Sequence, residues 1–321
     1  MKTVLVEPLA ISSARLNELS APLRESGHSF EAYDTKPKTE EEWLSRIGDA
    51  EQVILANTPM PESVIERAPN LKYINIAFTG MDHVPVAKAE AKGIRVINAA
   101  GYSDEGVAEL VIGMTISLLR KLKAADEGIR QGGKAADFCG AEIAGRTVGI
   151  IGTGRIGTRV AKLFHAFGVQ LIGFNRSEKD ELKALGLTYL PLEEVLCRAD
   201  ILTVHLPSTP ETRNFLTARE FALMKPTAIL LNCARGPIVH SGDLADALQR
   251  GALAGAGVDV FYEEPPLSAE EPLLSAPNVL LTPHIAYFTN EAMEKRAEIV
   301  FRHACAFFGR RGLTRLMGEP W

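Results

Sequence analysis

Short runs of apolar and β-branched residues alternate with segments of helical periodicity along most of the chain. Such alternation is typical of parallel α/β layers, in which a helix follows each strand. In the first hundred residues the predicted strands are residues 3–6, 30–33, 53–56, 73–76 and 95–97. The predicted strands of a second series are residues 147–151, 171–174, 201–205, 228–231, 256–260 and 279–281. The pattern therefore predicts an α/β fold with two doubly wound parallel sheets, the second with six strands.

Helical patterns separate these strands and also lie between the two series. The pattern over residues 41–47 begins with the spacing of a capping box, since Glu42 follows Thr39 by three positions. Residues 105–130 are apolar around much of the helical circumference. This pattern predicts one long helix that is buried in a core or in an oligomer interface.

The last helical pattern, residues 291–308, has a single apolar stripe. The stripe consists of Met293, Ala297, Val300, Ala304 and Phe307. We expect this helix to pack back on the N-terminal domain, so that the chain crosses between the two domains near residues 98–103 and again near residues 285–290. A cleft between two such domains is a common place for a ligand.

Composition and charge exclude several classes of protein. The 321 residues allow two domains of about 150 residues each. A net charge of −5 gives no reason to expect nucleic acid or an anionic membrane as partner, and no apolar run reaches membrane-spanning length. The N-terminus is typical of a strand and not of a signal peptide. The four cysteines have no metal-binding spacing, which indicates a reducing cytoplasm and no metal site, and they are Cys139, Cys197, Cys233 and Cys305.

A glycine-rich loop follows the predicted strand 147–151 and opens the helical pattern 156–167. The loop consists of Gly152, Thr153, Gly154, Arg155, Ile156 and Gly157. In this strand–loop–helix context the first glycine permits a tight turn, the second lets the backbone approach a diphosphate, and the third lets helix and strand pack closely. The loop therefore predicts a dinucleotide site in which the diphosphate lies at the helix N-terminus.

The end of the next strand bears on the choice of cofactor. A dinucleotide fingerprint expects an acidic residue there to bind the ribose 2′-OH, but this chain has Asn175, followed by Arg176 and Ser177. Without the carboxylate a 2′-phosphate is not repelled, and Arg176 and Ser177 can bind it. We therefore expect NAD(P)H as cofactor and favour NADP(H). The alternative is that Asn175 bonds a 2′-OH and Arg176 is solvated.

Three further polar segments follow predicted strands, at residues 232–236, 257–265 and 282–286. Open α/β sheets place ligands beyond the carboxyl ends of their strands. Arg235, Glu264 and His284 would converge there, where they can bind a carboxylate and carry out acid–base chemistry.

At this point the sequence resembles the D-isomer-specific 2-hydroxyacid dehydrogenases over nearly its whole length. The resemblance rests on the phosphate loop and on residues 79–82, 98–109, 205–207, 232–236, 259–265 and 282–284, all in the family order. It implies a Rossmann NAD(P)-binding domain, residues 101–287, inserted in a flavodoxin-like substrate domain, residues 1–100 and 288–321. It also implies a homodimer, which the long helical pattern after Glu105 supports.

The resemblance implies a role for each matching residue. Arg235 would bind the substrate carboxylate and carbonyl, and His284 would donate the proton in reduction and accept it in oxidation. Glu264, directly before Pro265, would pair with His284; the register of the motif favours it over Glu263. Asp259 would face the nicotinamide carboxamide. The remaining implied contacts are the backbone of Thr79 and Gly80 with the substrate carboxylate, and His205, Pro207, Cys233 and Ala234 with the cofactor.

The residues after His284 depart from the small glycines of many family members. Tyr287 and Phe288 stand there, and together with Tyr102 and Met60 they would line a pocket for an apolar 2-keto side chain. The alternative is that these aromatic rings only pack the hinge between the domains.

The implied activity is NAD(P)-dependent reduction of a small 2-keto acid to the D-2-hydroxy acid. Two alternatives stay open on the same fold, a nucleotide-sensing protein of the corepressor kind and a phosphite dehydrogenase. The residues alone leave the identity of the substrate open.

Overall fold

The computed structural model describes residues 1–308 and divides the chain into two compact units. Among these residues, the first unit consists of Met1–Ser103 and residues 289–308, and the second of Asp104–Phe288. Residues 309–321, which end the predicted substrate domain, lie outside the described residues.

The first unit is built on a five-stranded parallel sheet with the strand order β2-β1-β3-β4-β5. This is the flavodoxin-like order of a doubly wound sheet. Its strands are β1 Lys2–Leu5, β2 Ser29–Ala32, β3 Gln52–Leu55, β4 Tyr73–Ile76 and β5 Arg95–Asn98. Its connecting helices are α1 Ser13–Glu25, α2 Glu40–Ile47, α3 Glu62–Arg67 and α4 Val86–Ala91.

Helix α2 begins at its predicted cap, but the capping box is only half formed. The Thr39 side chain accepts a hydrogen bond from the Glu42 N–H at 3.2 Å. The Glu42 carboxylate accepts from the N–H of Lys38, one residue earlier than the reciprocal bond requires.

The second unit contains a seven-stranded parallel sheet with the order β12-β11-β10-β9-β6-β7-β8. Its strands are β6 Thr147–Ile151, β7 Gln170–Phe174, β8 Thr188–Tyr189, β9 Ile201–Val204, β10 Ile229–Asn232, β11 Gly255–Val258 and β12 Val279–Leu281. Its helices are α5 Asp104–Leu119, α6 Leu122–Arg130, α7 Arg155–His165, α8 Asp180–Ala184, α9 Leu192–Arg198, α10 Ala218–Phe221 and α11 Ser241–Gln249. Short 3₁₀ turns are Ala135–Phe138, Gly236–Ile238 and Pro272–Ser275.

The predicted fold class, two α/β units with parallel sheets, is confirmed. The second unit has one strand more than predicted, because β8 is only two residues long and carries too little pattern to be recognised. It pairs in parallel with β7, where Thr188 lies opposite Ile172. The strand order of this unit extends the dinucleotide-binding arrangement, and β6 and β9 lie at the point where the order reverses.

The prediction of one long helix over residues 105–130 is wrong, because the structure has two helices there. Lys121 adopts a left-handed backbone conformation with φ of +51° between α5 and α6. The Leu119 carbonyl, which would otherwise continue the helix, accepts the N–H of Ala141 at 2.9 Å. A Cβ on Gly140 would lie 2.6 Å from that same oxygen, so a glycine is needed for this close approach.

The last helix, α12 Asn290–Phe308, packs against α1 and β4 of the first unit. Asn75 in the middle of β4 donates its side-chain N–H to the Val300 carbonyl at 2.8 Å, and Arg15 on α1 pairs with Glu294 at 2.9 Å. Four of the five predicted stripe residues are buried, and Phe307 stacks on Tyr73 with 4.4 Å between ring centroids.

Within residues 1–308, no helix is long and apolar enough to cross a membrane. The same part of the chain brings no three His, Cys, Asp or Glu side chains together as a metal site.

Candidate active site

The phosphate loop joins β6 to α7, and two of its glycines are required by the fold itself. Gly152 has φ of +90°, and a Cβ there would lie 2.5 Å from the His205 carbonyl oxygen. A Cβ on Gly157 would lie 2.0 Å from the Gly152 oxygen. The first glycine thus permits the turn and the third permits the close packing of helix against loop.

The middle glycine has no such internal reason. Gly154 is exposed, and a Cβ placed on it would meet no atom within 4 Å. It is the N-cap of α7 but offers no side chain to the first N–H groups of the helix. An open cradle beside uncapped N–H groups fits the diphosphate of a dinucleotide, which approaches the backbone at this point.

The other residues of the loop are held by the second unit. Thr153 is fully buried, and its hydroxyl lies 3.0 Å from the Tyr189 hydroxyl. Arg155 is exposed and forms an ion pair with Asp104 at 3.0 Å. Ile156 packs against the apolar core. The loop is therefore anchored through its side chains and presents its backbone.

The segment after β7 contains the predicted ribose-reading residues. The Asn175 side-chain amide donates to the Ser177 carbonyl at 2.7 Å and so turns back onto its own loop. Arg176 and Ser177 are exposed. The nearby Glu211 has its pKa lowered mainly by a hydrogen bond from Thr209 and in part by the charge of Arg176.

His205 and Pro207 follow β9. His205 Nε2 lies 2.9 Å from the Thr203 hydroxyl, and burial lowers the pKa of His205 to about 3. This imidazole is therefore neutral at physiological pH and offers a hydrogen bond, not a charge. Pro207 is exposed, and its carbonyl accepts the Thr212 hydroxyl at 2.7 Å.

The segment after β10 presents Arg235 from a braced turn. The buried Asn232 side chain donates to the Arg235 carbonyl and accepts from the Ala234 N–H, both at 3.1 Å. The Arg235 side chain is half-buried and donates to the Ala234 carbonyl at 2.7 Å. Burial raises the pKa of the Cys233 thiol, so the thiolate that a nucleophile needs is disfavoured.

Asp259, directly after β11, is fully buried and holds the segment that contains His284. Its carboxylate accepts the N–H of Ile285 at 2.9 Å and that of Ala286 at 2.8 Å, and it also accepts the hydroxyl of Thr282. Its carbonyl accepts the His284 N–H at 2.8 Å. Burial raises the pKa of Asp259 although these hydrogen bonds oppose the shift. The sequence predicted a contact with the nicotinamide carboxamide, which stays a prediction.

The structure brings the predicted acid–base pair together. His284 Nδ1 lies 2.8 Å from Glu264 Oε2, and Glu263 and Glu264 are both exposed. Because a carboxylate only accepts, Nδ1 carries the hydrogen of this contact. The backbone of His284 is left-handed, with φ of +56°, which is uncommon for a residue other than glycine and is held here by the bonds to Asp259.

Aromatic rings border His284 on the side of the following residues. The Tyr287 ring meets the imidazole edge-on, with centroids 5.3 Å apart, and the exposed Phe288 ring lies 5.9 Å from Tyr287. The substrate-pocket role of Tyr287 stays a prediction.

The remaining predicted substrate residues lie in the first unit, beyond the ends of β3, β4 and β5. The Thr79 carbonyl accepts the Asn98 side-chain amide at 2.6 Å, and Thr79 and Gly80 are half-buried. Tyr102 is buried, with its ring 6.1 Å from that of Phe78 and the Arg296 guanidinium 5.9 Å above it. Met60 is also buried.

In the second unit, the predicted residues from the phosphate loop to His284 all follow the carboxyl ends of parallel strands and share that edge of one sheet. Sequence reasoning missed the supporting contacts there. Lys179 reaches the phosphate loop, Tyr189 bonds Thr153, and Asn232 braces Arg235. Only Asn232 carried a signal, as a polar residue at the end of an apolar strand.

Comparison with known proteins agrees with this geometry. Residues 112–286 match the family model of the D-isomer specific 2-hydroxyacid dehydrogenase NAD binding domain. Glycerate dehydrogenase of Methylorubrum extorquens is 36% identical, over 90% of this chain and 93% of that protein. D-3-phosphoglycerate dehydrogenase of Methanocaldococcus jannaschii is 39% identical, and here the match spans 82% of this chain but only half of that protein.

Among solved structures, an acyclic imino acid reductase in complex with NADPH and D-Arg is similar over 96% of this chain and 97% of its own. Its TM-score is 0.87 and its identity 29%. The matched NAD-binding domain indicates a nicotinamide cofactor. The chain belongs to the D-isomer-specific 2-hydroxyacid dehydrogenases, a family of oxidoreductases.

Proposed function

We propose that the protein reduces a small 2-keto acid to the D-2-hydroxy acid with a nicotinamide nucleotide. The observation that carries this proposal is the 2.8 Å contact between His284 and Glu264, at the same sheet edge as the phosphate loop. A proton donor and a dinucleotide cradle on one edge are what carbonyl reduction needs from a protein.

The nucleotide, when bound, supplies the hydride for the carbonyl carbon. The open backbone at Gly154 and the N-terminus of α7 hold its diphosphate. The adenosine end favours NADP(H) over NAD(H), because Asn175 replaces the usual acid and the exposed Arg176 offers a cation to a 2′-phosphate.

The protein's own residues bind the keto acid and move the proton. Arg235 binds the substrate carboxylate, since its planar fork can donate to both oxygens. His284 donates the proton on Nε2 to the carbonyl oxygen, where negative charge develops during reduction. Glu264 stabilises the imidazolium form and keeps the ring oriented through Nδ1. In oxidation the same nitrogen accepts the proton.

The substrate is a small 2-keto acid without a phosphate group. Aromatic residues border His284, and rings of this kind suit a short or apolar side chain better than a charged one. Backbone N–H groups of Thr79 and Gly80 bind the substrate carboxylate, and Tyr102 contributes to the side-chain pocket. These last assignments rest on the family resemblance alone.

The test is consumption of NADH and NADPH, in parallel, against glyoxylate, hydroxypyruvate, pyruvate, 2-ketoisocaproate and phenylpyruvate. We expect turnover on at least one acid, faster with NADPH, and a D product by chiral chromatography. Glu264→Gln should lose most of this activity, and Glu263→Gln, the matched control one residue earlier, should keep it. Oxidation of phosphite alone, or nucleotide binding without any turnover, would replace the proposal by one of the alternatives.

We also propose that the active protein is a homodimer. Partly exposed apolar side chains lie on α5, including Ile112 and Ile116, and Leu122 and Ile129 on α6 are exposed. A second copy that covers them would remove this apolar surface from water. Light scattering should give a mass near twice 34.8 kDa, and a monomer would contradict the assignment.

A further inference from the structure

Lys179 occupies an unusual place beside the phosphate loop. It lies four residues after Asn175, at the N-cap of α8, and its side chain turns back across the second unit to the first turn of α7. The ammonium lies 3.0 Å from the Thr158 hydroxyl and 3.4 Å from the Gly154 carbonyl oxygen. A cation is thus held next to the glycine whose surroundings are open.

Tyr189 fixes this arrangement from the opposite side. Its hydroxyl accepts the Lys179 backbone N–H at 3.1 Å and lies 3.0 Å from the Thr153 hydroxyl. Because Tyr189 belongs to β8, which pairs with β7, one side chain joins the phosphate loop, the segment after β7 and the sheet edge. The distance between Lys179 and the phosphate loop is therefore set by the fold.

The charge of Lys179 differs from that of the other lysines on this surface. Lys162 pairs with Glu181 at 2.9 Å, and Lys183 pairs with Glu178. Lys179 meets only a carbonyl and a hydroxyl oxygen, and within residues 1–308 no carboxylate lies within salt-bridge distance of its ammonium. The direct contacts of this half-buried cation are neutral dipoles, and Glu181, whose pKa is lowered mainly by Lys162 and in small part by the charge of Lys179, lies beyond salt-bridge distance of it. The ammonium therefore has room for an anionic ligand.

We propose that Lys179 binds the 2′-phosphate of NADP(H), together with Arg176, and is a specificity-determining residue for the cofactor. The inference rests on the proposed function and deepens it. In sheets of this kind the ribose 2′ position is read at the end of the strand that follows the phosphate loop, which is β7 here. Lys179 reaches into the space between that strand end and Gly154. The compact ammonium of Lys179 suits a phosphate dianion. When the nucleotide binds, a phosphate oxygen would replace the weak 3.4 Å contact of this ammonium with the Gly154 carbonyl.

A binding experiment separates this role from that of a structural latch. The probes are NADPH, NADH, 2′,5′-ADP and 5′-AMP, titrated by calorimetry into the wild-type protein, Lys179→Met and Lys179→Gln. We expect both variants to weaken NADPH and 2′,5′-ADP about tenfold to a hundredfold, as for a lost hydrogen bond between charged groups, and NADH and 5′-AMP by less than about twofold. Lys183→Met, the matched control with the same charge change, should leave all four affinities within about twofold.

Three results would overturn the inference. Equal weakening of the probes with and without a 2′-phosphate would mean that Lys179 only stabilises the phosphate loop. Unchanged affinities would mean that Lys179 does not contribute to nucleotide binding. Wild-type protein that binds 2′,5′-ADP no tighter than 5′-AMP would show that no 2′-phosphate is read. Lys179→Arg, which keeps the charge, should retain most of the NADPH preference. Failure of the wild-type protein to bind any of the four probes would instead overturn the proposed function.

Discussion

Two segments at the same edge of the second sheet are held in opposite ways. The segment 282–286 surrounds His284 and is bonded to the fully buried carboxylate of Asp259 through two backbone N–H groups and one hydroxyl. The segment 175–179 turns on one internal bond, from Asn175 to the Ser177 carbonyl, and is attached through Tyr189 and Lys179. Arg176 and Ser177 between these attachments are exposed.

The difference follows from what each segment has to do. A proton donor must be held close to its productive geometry, and a misplacement of about 1 Å can cost roughly a hundredfold in rate. Recognition of a phosphate by surface cations tolerates more variation, because attraction between charges is less directional. Substitutions in the His284 segment should therefore reduce rate and stability, whereas substitutions in the segment 175–179 should redistribute affinity between two cofactors.

The largest effect is expected at the proton donor itself. His284→Ala removes the proton donor of the His284 segment, and kcat should fall by about 10²–10⁴, the contribution typical of a general acid. Nucleotide affinity, measured by titration, should stay within about twofold, because the phosphate loop is untouched. A variant with nearly wild-type turnover would contradict the comparison of the two segments, because the segment 282–286 would then contain no residue that takes part in the reaction.

A smaller but broader effect is expected at the residue that holds this segment. In Asp259→Asn one of the two carboxylate oxygens that accept backbone N–H groups is replaced by an NH₂ group. This NH₂ group cannot accept, so the N–H of either Ile285 or Ala286 loses its hydrogen bond. An unsatisfied buried donor costs about 1–3 kcal/mol, and His284 loses its fixed position. We expect kcat to fall by about a hundredfold and the free energy of unfolding in urea to decrease. Loss of stability with unchanged kcat would show that the hydrogen bonds of Asp259 do not position His284 for the reaction.

The raised pKa of Asp259 predicts that the stability of the folded protein depends on pH. Burial raises the pKa of Asp259, so the folded protein holds this proton more tightly than the unfolded chain, whose pKa is about 3.9. The stabilisation is therefore complete below about pH 3.9 and is lost as pH rises through the raised folded pKa. Urea unfolding at a series of pH values should show the stability of the wild-type protein falling relative to Asp259→Asn over this range. A rise would reverse the sign and contradict the assignment.

The contrast between the two segments also explains what the sequence could predict. Local patterns were sufficient for the strands, because each apolar run carries its own signal, and β4, β6 and β12 have the predicted bounds. The pairing of Glu264 with His284 was implied by the family resemblance. The break at Lys121 could not be predicted, since no glycine or proline marks it and the competing donor, Ala141, lies twenty residues later.

The contacts that support the site depend on long-range packing in the same way. The hydrogen bonds of Asp259 reach 23 to 27 positions along the chain, and those of Lys179 reach 21 to 25 positions back. No spacing in the sequence records such contacts, because they arise only when neighbouring strands place their ends at one edge. The sequence could therefore indicate which residues react but not which residues hold them.

The smallest effect is expected at Glu211, an exposed acid that interacts with Arg176 of the segment 175–179. Glu211 is exposed, and the charge of Arg176 contributes to the lowering of its pKa. Its carboxylate therefore competes with a 2′-phosphate for Arg176 and repels that phosphate. Interactions between exposed charges are weak, so Glu211→Gln should tighten NADPH by only about two- to threefold and leave NADH unchanged.

The dependence on salt concentration and a matched substitution decide whether the tighter NADPH binding arises from the charge of Glu211. The gain should shrink as the ionic strength increases, because interactions between exposed charges are screened. Glu270→Gln removes an exposed carboxylate from another loop and should change neither affinity. Equal tightening of NADPH and NADH by Glu211→Gln would mean that Glu211 acts on a part common to both nucleotides. Glu211 would then not compete with a 2′-phosphate for Arg176.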